Sequence, residues 1–222
     1  MPIYKTKNEN FFKKWSPEMA YVLGFFAADG NMLRNRRGAH FIEFTSTDKE
    51  LLESIREVID SGHKISARER GEKWKTGYRL QIGSKIMFND LIKLGFTPNK
   101  SKTLRFPNIP LRYFSNFVLG YFDGDGNVTA SVYRRSDRKT KSHTLLSGFT
   151  SGSRKFLEIL GNRLRDSAGL RGGTLYFSSR GHRLYFSVND SLRLYGFMYS
   201  RVIKNLFLPR KRLVFEKYFG IT

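Results

Sequence analysis

The sequence of 222 residues contains no cysteine, only 6 prolines and few acidic residues. The absence of cysteine excludes disulfide bonds and thiolate-ligated metal sites, and it fits a reducing compartment. No apolar run approaches the roughly 18 residues of a membrane span, and the N-terminal stretch MPIYKTKNENFFKKW lacks the apolar core of a signal peptide. We therefore expect an intracellular protein with no membrane association, cytoplasmic in a prokaryote or within an organelle if an organelle encodes it.

Negative charge is scarce relative to positive charge. The chain has 19 Asp and Glu against 40 Lys and Arg, a formal net charge of +21. Such an excess indicates a polyanionic partner, because each phosphate that a basic residue neutralises releases condensed counterions. Ribosomal proteins and proteins that bind acidic membranes share this balance, so charge favours nucleic acid without deciding it. The 20 Phe, 11 Tyr and 2 Trp suffice for a packed core and exclude a disordered chain.

An internal repeat is the most informative feature of the sequence. The segment YVLGFFAADG (21–30) returns as FVLGYFDGDG (117–126). Three further pairs follow in the same order: HFIEFTSTDKELLESI (40–55) with LLSGFTSGSRKFLEIL (145–160), GYRLQI (77–82) with GHRLYF (181–186), and GFTPNKSK (95–102) with LFLPRKRL (206–213). Four blocks in one order indicate a duplication followed by insertions and deletions.

The two copies predict the same order of elements. In the first copy, Ser16 and Pro17 predict the start of a helix that runs to Asp29. Alternating and amphipathic patterns then predict strands after Gly30 and at 40–46, a helix after Asp48, strands near 63–70 and 77–83, and a helix at about 85–94. The second copy predicts helices at 112–125, 153–166 and 190–205, with strands between them.

These elements predict an α+β fold made of two αββαββα halves related by a pseudo-twofold axis. Each half is expected to hold a four-stranded antiparallel sheet with one face under helices and the other in solvent. We expect the N-terminal half at 1–103, a linker at 104–111 that contains Pro107 and Pro110, and the C-terminal half at 112–222.

Small residues four positions apart indicate how the two repeated helices meet. Gly24 is followed by Ala28, and Gly120 by Gly124, which lets two helix backbones approach closely. Packing through these faces places a pseudo-twofold axis between the helices and brings their C-termini together. The glycine that follows each helix is expected in the left-handed conformation of a helix end.

Asp29 and Asp125 end the two helices and are therefore expected to face each other. Two carboxylates at the negative ends of two helix dipoles repel one another, and a divalent cation relieves the repulsion. Oxygen ligands without cysteine favour Mg²⁺ over zinc.

The segments VLGFFAADG (22–30) and VLGYFDGDG (118–126) resemble the two signature motifs of single-chain LAGLIDADG homing endonucleases. The similarity covers nearly the whole chain. The resemblance implies a monomer whose sheets form a saddle in the major groove and which cuts both strands of a long, pseudo-palindromic double-stranded DNA target. It implies Mg²⁺ as the cofactor, with Mn²⁺ able to substitute and Ca²⁺ supporting binding without cleavage.

The resemblance also implies which residues form the catalytic centre. Asp29 and Asp125 match the metal ligands, and the backbone carbonyls of Ala28 and Gly124 match the supporting ones. Asp123 has Ala27 in its place in the first motif, at a position that the family leaves variable. It is therefore expected to be an acid of the helix end or one that lies behind the metal ligands.

Four further residues match the family's active-site positions. Lys100 and Lys211, each two residues after a proline, match the basic residues expected to hold or polarise water or to offset transition-state charge. Ser46 and Ser151 match a position at which polar residues contribute to the network of waters.

DNA reading is expected from the sheet faces and hairpins. Arginine pairs with guanine, glutamine with adenine, and glutamate accepts from cytosine, whereas basic residues at loop tips hold phosphates. The expected contacts are Arg34, Arg36, Arg37, Glu43, Arg68, Arg70, Arg79, Gln81, Arg134, Arg135, Arg138, Lys139 and Arg183. The basic segment VYRRSDRKTKSH (132–143) either extends the DNA contact or is a solvated loop.

Two alternatives remain at this point. The chain could be a noncatalytic nucleic-acid binder on the same fold, either an RNA maturase that assists intron splicing or a DNA-binding regulator. Two complete Asp-Gly endings and two lysines favour the endonuclease, because a binder without cleavage would be free to lose them. A ribosome-associated protein would explain the charge but not the repeated acids.

Overall fold

The computed structural model describes residues 5–69, 71, 75–134, 141–179 and 181–221. The first half comprises α1 (Pro17–Asp29), β1 (Gly30–Arg34), β2 (His40–Ser46), α2 (Lys49–Val58), β3 (Ile65–Arg68), β4 (Gly77–Gly83) and α3 (Lys85–Lys93). The second half comprises α4 (Phe114–Asp125), β5 (Gly126–Arg134), β6 (Lys141–Ser151), α5 (Arg154–Ala168), β7 (Thr174–Ser178), β8 (Gly181–Phe186), α6 (Val188–Tyr199) and α7 (Pro209–Phe219). Single 3₁₀ turns lie at Lys100–Lys102 and Leu111–Tyr113.

The two halves have the same sheet topology. The strand orders are β1-β2-β4-β3 and β5-β6-β8-β7, and all neighbouring strands are antiparallel. The α+β fold of two αββαββα halves, predicted from the repeat, is therefore confirmed. The second half carries one more helix than predicted, because the helix expected at 190–205 ends at Tyr199 and α7 begins separately. Asn205, with φ 66°, lies in the turn between them, and Pro209 occupies the first turn of α7, where its missing N–H costs nothing.

Local sequence explains where α1 begins and ends. The Ser16 hydroxyl accepts a hydrogen bond from the Met19 N–H at 3.1 Å, and Pro17 follows in the first turn. After Asp29 the chain passes directly into β1. The expectation of a left-handed glycine here is wrong, since Gly30 and Gly126 are extended, with φ −87° at both. Glycine is needed for space instead, because a Cβ at either position would overlap the ring of the phenylalanine four residues earlier.

The core of the molecule is centred on α1 and α4. Phe25, Phe26, Tyr121 and Phe122 are all fully buried, and burial of each ring contributes about 1.5–3 kcal/mol. The ring of Phe26 meets Phe44 of the first sheet at a centroid distance of 5.4 Å, and that of Phe122 meets Phe149 of the second at 5.6 Å. The two repeated helices thus form the centre of the molecule.

The predicted linker packs against the second half. The Phe106 ring lies 5.7 Å from Phe117 and 5.1 Å from Phe156, and Arg163 donates a hydrogen bond to the Ile109 carbonyl at 2.9 Å. These contacts hold the segment that connects the two halves against the second half. In the part of the chain that the structure describes, no helix combines the length and apolarity needed to cross a bilayer.

Candidate active site

Asp29 and Asp125 are brought together by the close approach of α1 and α4. They are the last residues of these helices, and a Cβ on Gly124 would lie 3.1 Å from the Asp29 Oδ2. Burial raises the pKa of Asp29. Burial, together with the charge of Asp29, raises the pKa of Asp125 to about 7. The pair therefore resists carrying two negative charges near neutral pH without a compensating cation.

The donor set at this pair suits a hard divalent cation. No hydrogen bond from another residue within the described ranges reaches either carboxylate of Asp29 or Asp125. Carboxylate and backbone carbonyl oxygens are ligands that Mg²⁺ and Ca²⁺ prefer. Among the described residues no cluster of three or more His, Asp or Glu side chains could hold a metal ion. A cation here would thus depend on the two acids, the carbonyls of Ala28 and Gly124, and oxygens of water or phosphate.

Lys211 is buried at the C-terminal end of α4. Its Nζ donates to the carbonyl oxygens of Phe122 at 2.6 Å, Asp123 at 2.9 Å and Gly126 at 2.6 Å. A longer contact of 3.5 Å reaches the Gly124 carbonyl, so four carbonyls share the three donors of the ammonium group. Burial lowers the pKa of Lys211 to about 8, and the nearby acids oppose the change. The residue acts on the helix end through charge and hydrogen bonds to its last carbonyls, of which that of Phe122 also accepts from the Gly126 N–H.

Lys100 occupies the matched position beside α1. Its Nζ lies 5.5 Å from the centroid of Phe26, as Lys211 Nζ lies 5.2 Å from that of Phe122. Burial lowers the pKa of Lys100 to about 8, while Asp125 and then Asp29 act in the opposite direction. The structure therefore brings both predicted lysines to the acidic pair, each over the aromatic ring of its own motif.

Ser46 and Ser151 have matched roles at the ends of β2 and β6. The Ser46 hydroxyl accepts from the Asp48 N–H at 3.0 Å, and the Ser151 hydroxyl accepts from the Ser153 N–H at 3.1 Å. Each hydroxyl thereby holds the turn that leads into the next helix. Ser46 also lines a cavity of about 210 Å³ whose wall includes Asp29 and Gly124.

Asp123 has a role that sequence reasoning missed. Its Oδ2 accepts from the Tyr21 hydroxyl at 2.7 Å and from the Leu208 N–H at 3.1 Å. Burial raises its pKa to about 6. The sequence showed that Asp123 has no counterpart in the first motif, but the expectation drawn from it did not include these contacts. A signal was present: the two motifs differ at both partners, with Phe117 and Ala27 matching Tyr21 and Asp123.

An ion pair joins the two halves close to this centre. Arg210, in the first turn of α7, donates from Nε and Nη2 to the two carboxylate oxygens of Asp48 at 3.0 and 2.9 Å. This bidentate pair spans from the second half to the residue that precedes α2, and its hydrogen bonds lower the pKa of Asp48. Neither residue was a candidate from the sequence.

The outer face of the first sheet carries three of the predicted DNA contacts as one group. Glu43 and Gln81 are directly paired across β2 and β4, and Arg79 is adjacent. The Gln81 amide donates to Glu43 Oε2 at 3.2 Å, and Arg79 Nη1 reaches the same oxygen at 3.5 Å. Arg68, on β3, shares this face because alternate residues of a strand point the same way.

The second sheet has a different outer face. Arg183 matches Arg79 in register, opposite Thr150 as Arg79 is opposite Thr45. At the positions of Glu43 and Gln81 stand Gly148 and Tyr185. Asn127 donates to the Tyr185 hydroxyl at 2.7 Å, and Tyr176 stacks on Tyr185 at a centroid distance of 6.1 Å. Sequence reasoning missed these three polar and aromatic residues, although alternation in the strands predicted after Gly126 and near 172–188 could have found them.

The predicted contacts in the hairpins divide into two groups. Arg36 and Arg37 are exposed in the turn after β1, whereas Arg34 shares the face of β1 that carries the buried Met32. Arg34 therefore lies on the helix side of the sheet, near its end, and not on the outer face. Outside the described residues lie Arg70, Arg135, Arg138, Lys139 and the side chain of Arg134.

Solved structures of low sequence identity share the fold of this chain. The homing endonuclease I-WcaI bound to its DNA recognition sequence is 20% identical, with a TM-score of 0.59 over 93% of this chain and 91% of that chain. The LAGLIDADG meganuclease I-AabMI bound to uncleaved DNA is 13% identical, with a TM-score of 0.63 over 93% of this chain and 90% of that chain. The I-LtrWI LAGLIDADG homing endonuclease bound to target DNA is 14% identical, with a TM-score of 0.57 over 96% of this chain and 90% of that chain.

Sequence comparison points to the same fold family. A region of 115 residues, 51% of this chain, is 24% identical to the DNA-directed RNA polymerase subunit Rpo1C of Methanocaldococcus jannaschii. The chain spans only 13% of that subunit's length. The family described as the LAGLIDADG-like domain matches residues 16–93. Residues 16–93 thus match the LAGLIDADG-like domain, and the chain as a whole shares the two-domain fold of these solved LAGLIDADG homing endonucleases.

Proposed function

We propose that the chain is a site-specific double-strand DNA endonuclease that uses a divalent cation, Mg²⁺ in the first place. The observation that carries the proposal is the meeting of Asp29 and Asp125 at the ends of α1 and α4. Two acids with raised pKa values, beside two buried lysines, form a costly arrangement that a structural role would not require.

The residues present would hold the cation and the reacting phosphates. Asp29, Asp125 and the carbonyls of Ala28 and Gly124 supply oxygen ligands. When bound there, a divalent cation lowers the pKa of a coordinated water and offsets charge on the phosphate. Lys211 keeps the carbonyls at the end of α4 fixed through its three hydrogen bonds, and Lys100 adds positive charge on the opposite side.

The two sheets would bind a duplex of DNA as one continuous saddle. Arg79, Gln81 and Glu43 on the first sheet are suited to read base edges, and exposed Arg36 and Arg37 are suited to hold phosphates. The unlike outer face of the second sheet favours a target with two different halves. Such an enzyme, acting as a monomer, would serve the mobility of an intron or intein.

The proposal is tested by selecting cleaved sites from a randomised duplex library with the purified chain in Mg²⁺. Mn²⁺ is expected to replace Mg²⁺, and Ca²⁺ is expected to support binding without cleavage. Recovery of one long target, cut on both strands, would support the endonuclease. Tight binding in Ca²⁺ without cleavage in Mg²⁺ or Mn²⁺ would overturn it, and preferential binding of structured RNA would favour a maturase.

A further inference from the structure

The polar contacts that join the two halves near the acidic pair lie on one side of the pseudo-twofold axis. The Tyr21 hydroxyl donates to Asp123 at 2.7 Å, and Arg210 forms its bidentate pair with Asp48. We refer to Tyr21, Asp48, Asp123 and Arg210 as the clasp. Two of these residues belong to each half, so the clasp links the halves.

The repeat shows what stands at the matched positions on the other side. Phe117 and Ala27 replace Tyr21 and Asp123, and neither side chain has a polar atom. Asn99 replaces Arg210, and Ser153 replaces Asp48. Ser153 is engaged with its own helix, where its hydroxyl accepts from the Phe156 N–H at 3.3 Å. The other side therefore offers neither the buried hydrogen bond nor the bidentate ion pair.

The clasp acts on the segment that carries Lys211. Asp123 accepts from the Leu208 N–H at 3.1 Å, and Leu208 is buried with 3% of its surface exposed. Arg210 then anchors the first turn of α7 to Asp48. The next residue, Lys211, donates to carbonyls at the end of α4 and to that of Gly126, the first residue of β5. A continuous helix, held at two points, thus fixes this lysine.

Lys100 is held in a different way. The matched segment, Thr97 to Asn99, is exposed, and Asn99 has the left-handed φ of 59° without a side-chain cap. Lys100 itself begins a single 3₁₀ turn, Lys100–Lys102, whereas Lys211 lies in the 11-residue helix α7. Short 3₁₀ turns have poorer hydrogen-bond geometry than α-helices. In the described part of the chain, Lys211 is therefore held by more contacts than Lys100.

We propose that the clasp makes the two halves of the catalytic centre unequal, so that the strand next to Lys211 is cut before the strand next to Lys100. The proposal rests on the proposed function, because it assumes that both strands are cleaved. Its reason is preorganisation: a charged group already in place costs no reordering during the reaction. Tyr21, Asp48, Asp123 and Arg210 are positioning residues that act through Lys211.

The test measures the cleavage rate of each strand on a selected target duplex labelled at both ends. The unmodified chain is expected to cut one strand about fivefold faster, the factor that corresponds to one hydrogen bond of positioning. The double variant Tyr21→Phe with Asp123→Ala copies the residues of the other side. It should slow the faster strand alone and bring the ratio of the two rates close to one.

A second double variant, Asp48→Ser with Arg210→Asn, copies the other side at the partly exposed ion pair. It should lower the ratio in the same direction and keeps the test valid if the buried variant folds poorly. Glu158→Gln serves as the matched control, because it breaks the exposed Arg154–Glu158 pair, 2.7 Å long, on α5. The control should leave the ratio unchanged. Equal slowing of both strands, or an unchanged ratio in both clasp variants, would overturn the proposal.

A measurement without DNA separates this proposal from the proposed function. Amide hydrogen exchange should become faster at residues 206–212 in both clasp variants, and not at residues 95–102. If the unmodified chain cleaves neither strand, the proposed function fails while the exchange result still decides whether the clasp orders the Lys211 segment. Unchanged exchange at 206–212 would contradict the clasp whether or not the chain cleaves DNA.

Discussion

Gly24 and Gly120 lie against each other's helix backbone. A Cβ on Gly24 would overlap the carbonyl oxygen of Phe117, and a Cβ on Gly120 would overlap that of Tyr21. The separation of α1 and α4 is therefore set by main-chain atoms, which cannot rotate away as a side chain can. This reciprocal contact decides how close Asp29 and Asp125 come.

Replacing Gly24 or Gly120 with alanine should lower the free energy of unfolding by about 2–3 kcal/mol, because overpacking at this contact forces backbone shifts. Denaturant unfolding measures the change. Gly196→Ala, on α6, is the matched control, since a Cβ there meets nothing within 4 Å. The control should be neutral or stabilising by up to about 1 kcal/mol. Similar losses in all three variants would contradict the close approach of α1 and α4.

Asp29→Asn and Asp125→Asn should each reduce double-strand cleavage about 100-fold or more, because either change removes a charge from the proposed cation site. Binding measured in Ca²⁺ should persist, though weakened. Asp60→Asn, an isosteric change at an exposed residue, provides the control and should cleave normally. Full cleavage by either active-site variant would rule out the assignment of that acid.

The acidic pair should make the cation-free protein lose stability between about pH 4 and pH 7. Asp125 has its pKa raised from an ordinary 3.8 to about 7, so the folded state binds the proton more tightly than the unfolded state. The stability that protonated Asp125 contributes is fully present below its ordinary pKa of 3.8, and it is lost as the pH rises through its folded-state pKa of about 7. Lys100 and Lys211 have pKa values lowered to about 8, so their charges change above this pH range.

The measurement compares melting temperatures at pH 4.5 and 7.5 in a chelator. Between pH 4.5 and 7.5 the melting temperature of the unmodified chain should fall further than that of Asp125→Asn. The difference should be about 2–4 °C for each kcal/mol of repulsion removed. Asp123, whose pKa is raised to about 6, titrates in both proteins and therefore cancels. Ca²⁺ at pH 7.5 should restore the unmodified chain preferentially, since a ligand stabilises only the state that binds it. Parallel pH profiles for the two proteins would contradict the repulsion.

Lys211→Met should destabilise the fold more than Lys100→Met. Removing the Lys211 ammonium takes a charged donor from the carbonyls of Phe122, Asp123 and Gly126, of which only that of Phe122 is known to keep another donor, the Gly126 N–H. The expected cost is about 1–3 kcal/mol. Lys100 contacts the Phe26 ring, so methionine should replace it at little cost in stability. Denaturant unfolding of the two variants tests this difference, and equal losses would contradict it.

Arg79→Ala should relax specificity at one base pair. Glu43 orients the guanidinium, and loss of a bidentate base contact costs about 1–3 kcal/mol of discrimination. Arg36→Ala, at an exposed hairpin position, should instead weaken binding to all sequences alike. Selection profiles of the two variants decide between these effects. A uniform loss for Arg79→Ala would assign it to phosphate binding.

Much of the architecture followed from local pattern. The repeat of four blocks predicted the order of elements in each half, because strand alternation and helix periodicity are local properties of a sequence. The spacing of Gly24 and Ala28, and of Gly120 and Gly124, predicted that two helices pack closely. The helix boundaries at Tyr199 and Pro209 were harder to predict from the sequence, since a helix can continue or stop there according to what packs around it.

The sequence by itself determined the duplication, the positive charge, the paired motifs and the candidate acids and lysines. Only the tertiary structure decided what those groups contact. Asp123 accepts a hydrogen bond from Tyr21, Arg210 pairs with Asp48, and Lys211 donates to backbone carbonyls. These contacts exist only in the folded chain, because they join residues that are far apart in the sequence. Pattern along a chain specifies elements and faces, whereas hydrogen bonds and pKa values depend on distances and burial that exist only in the folded molecule.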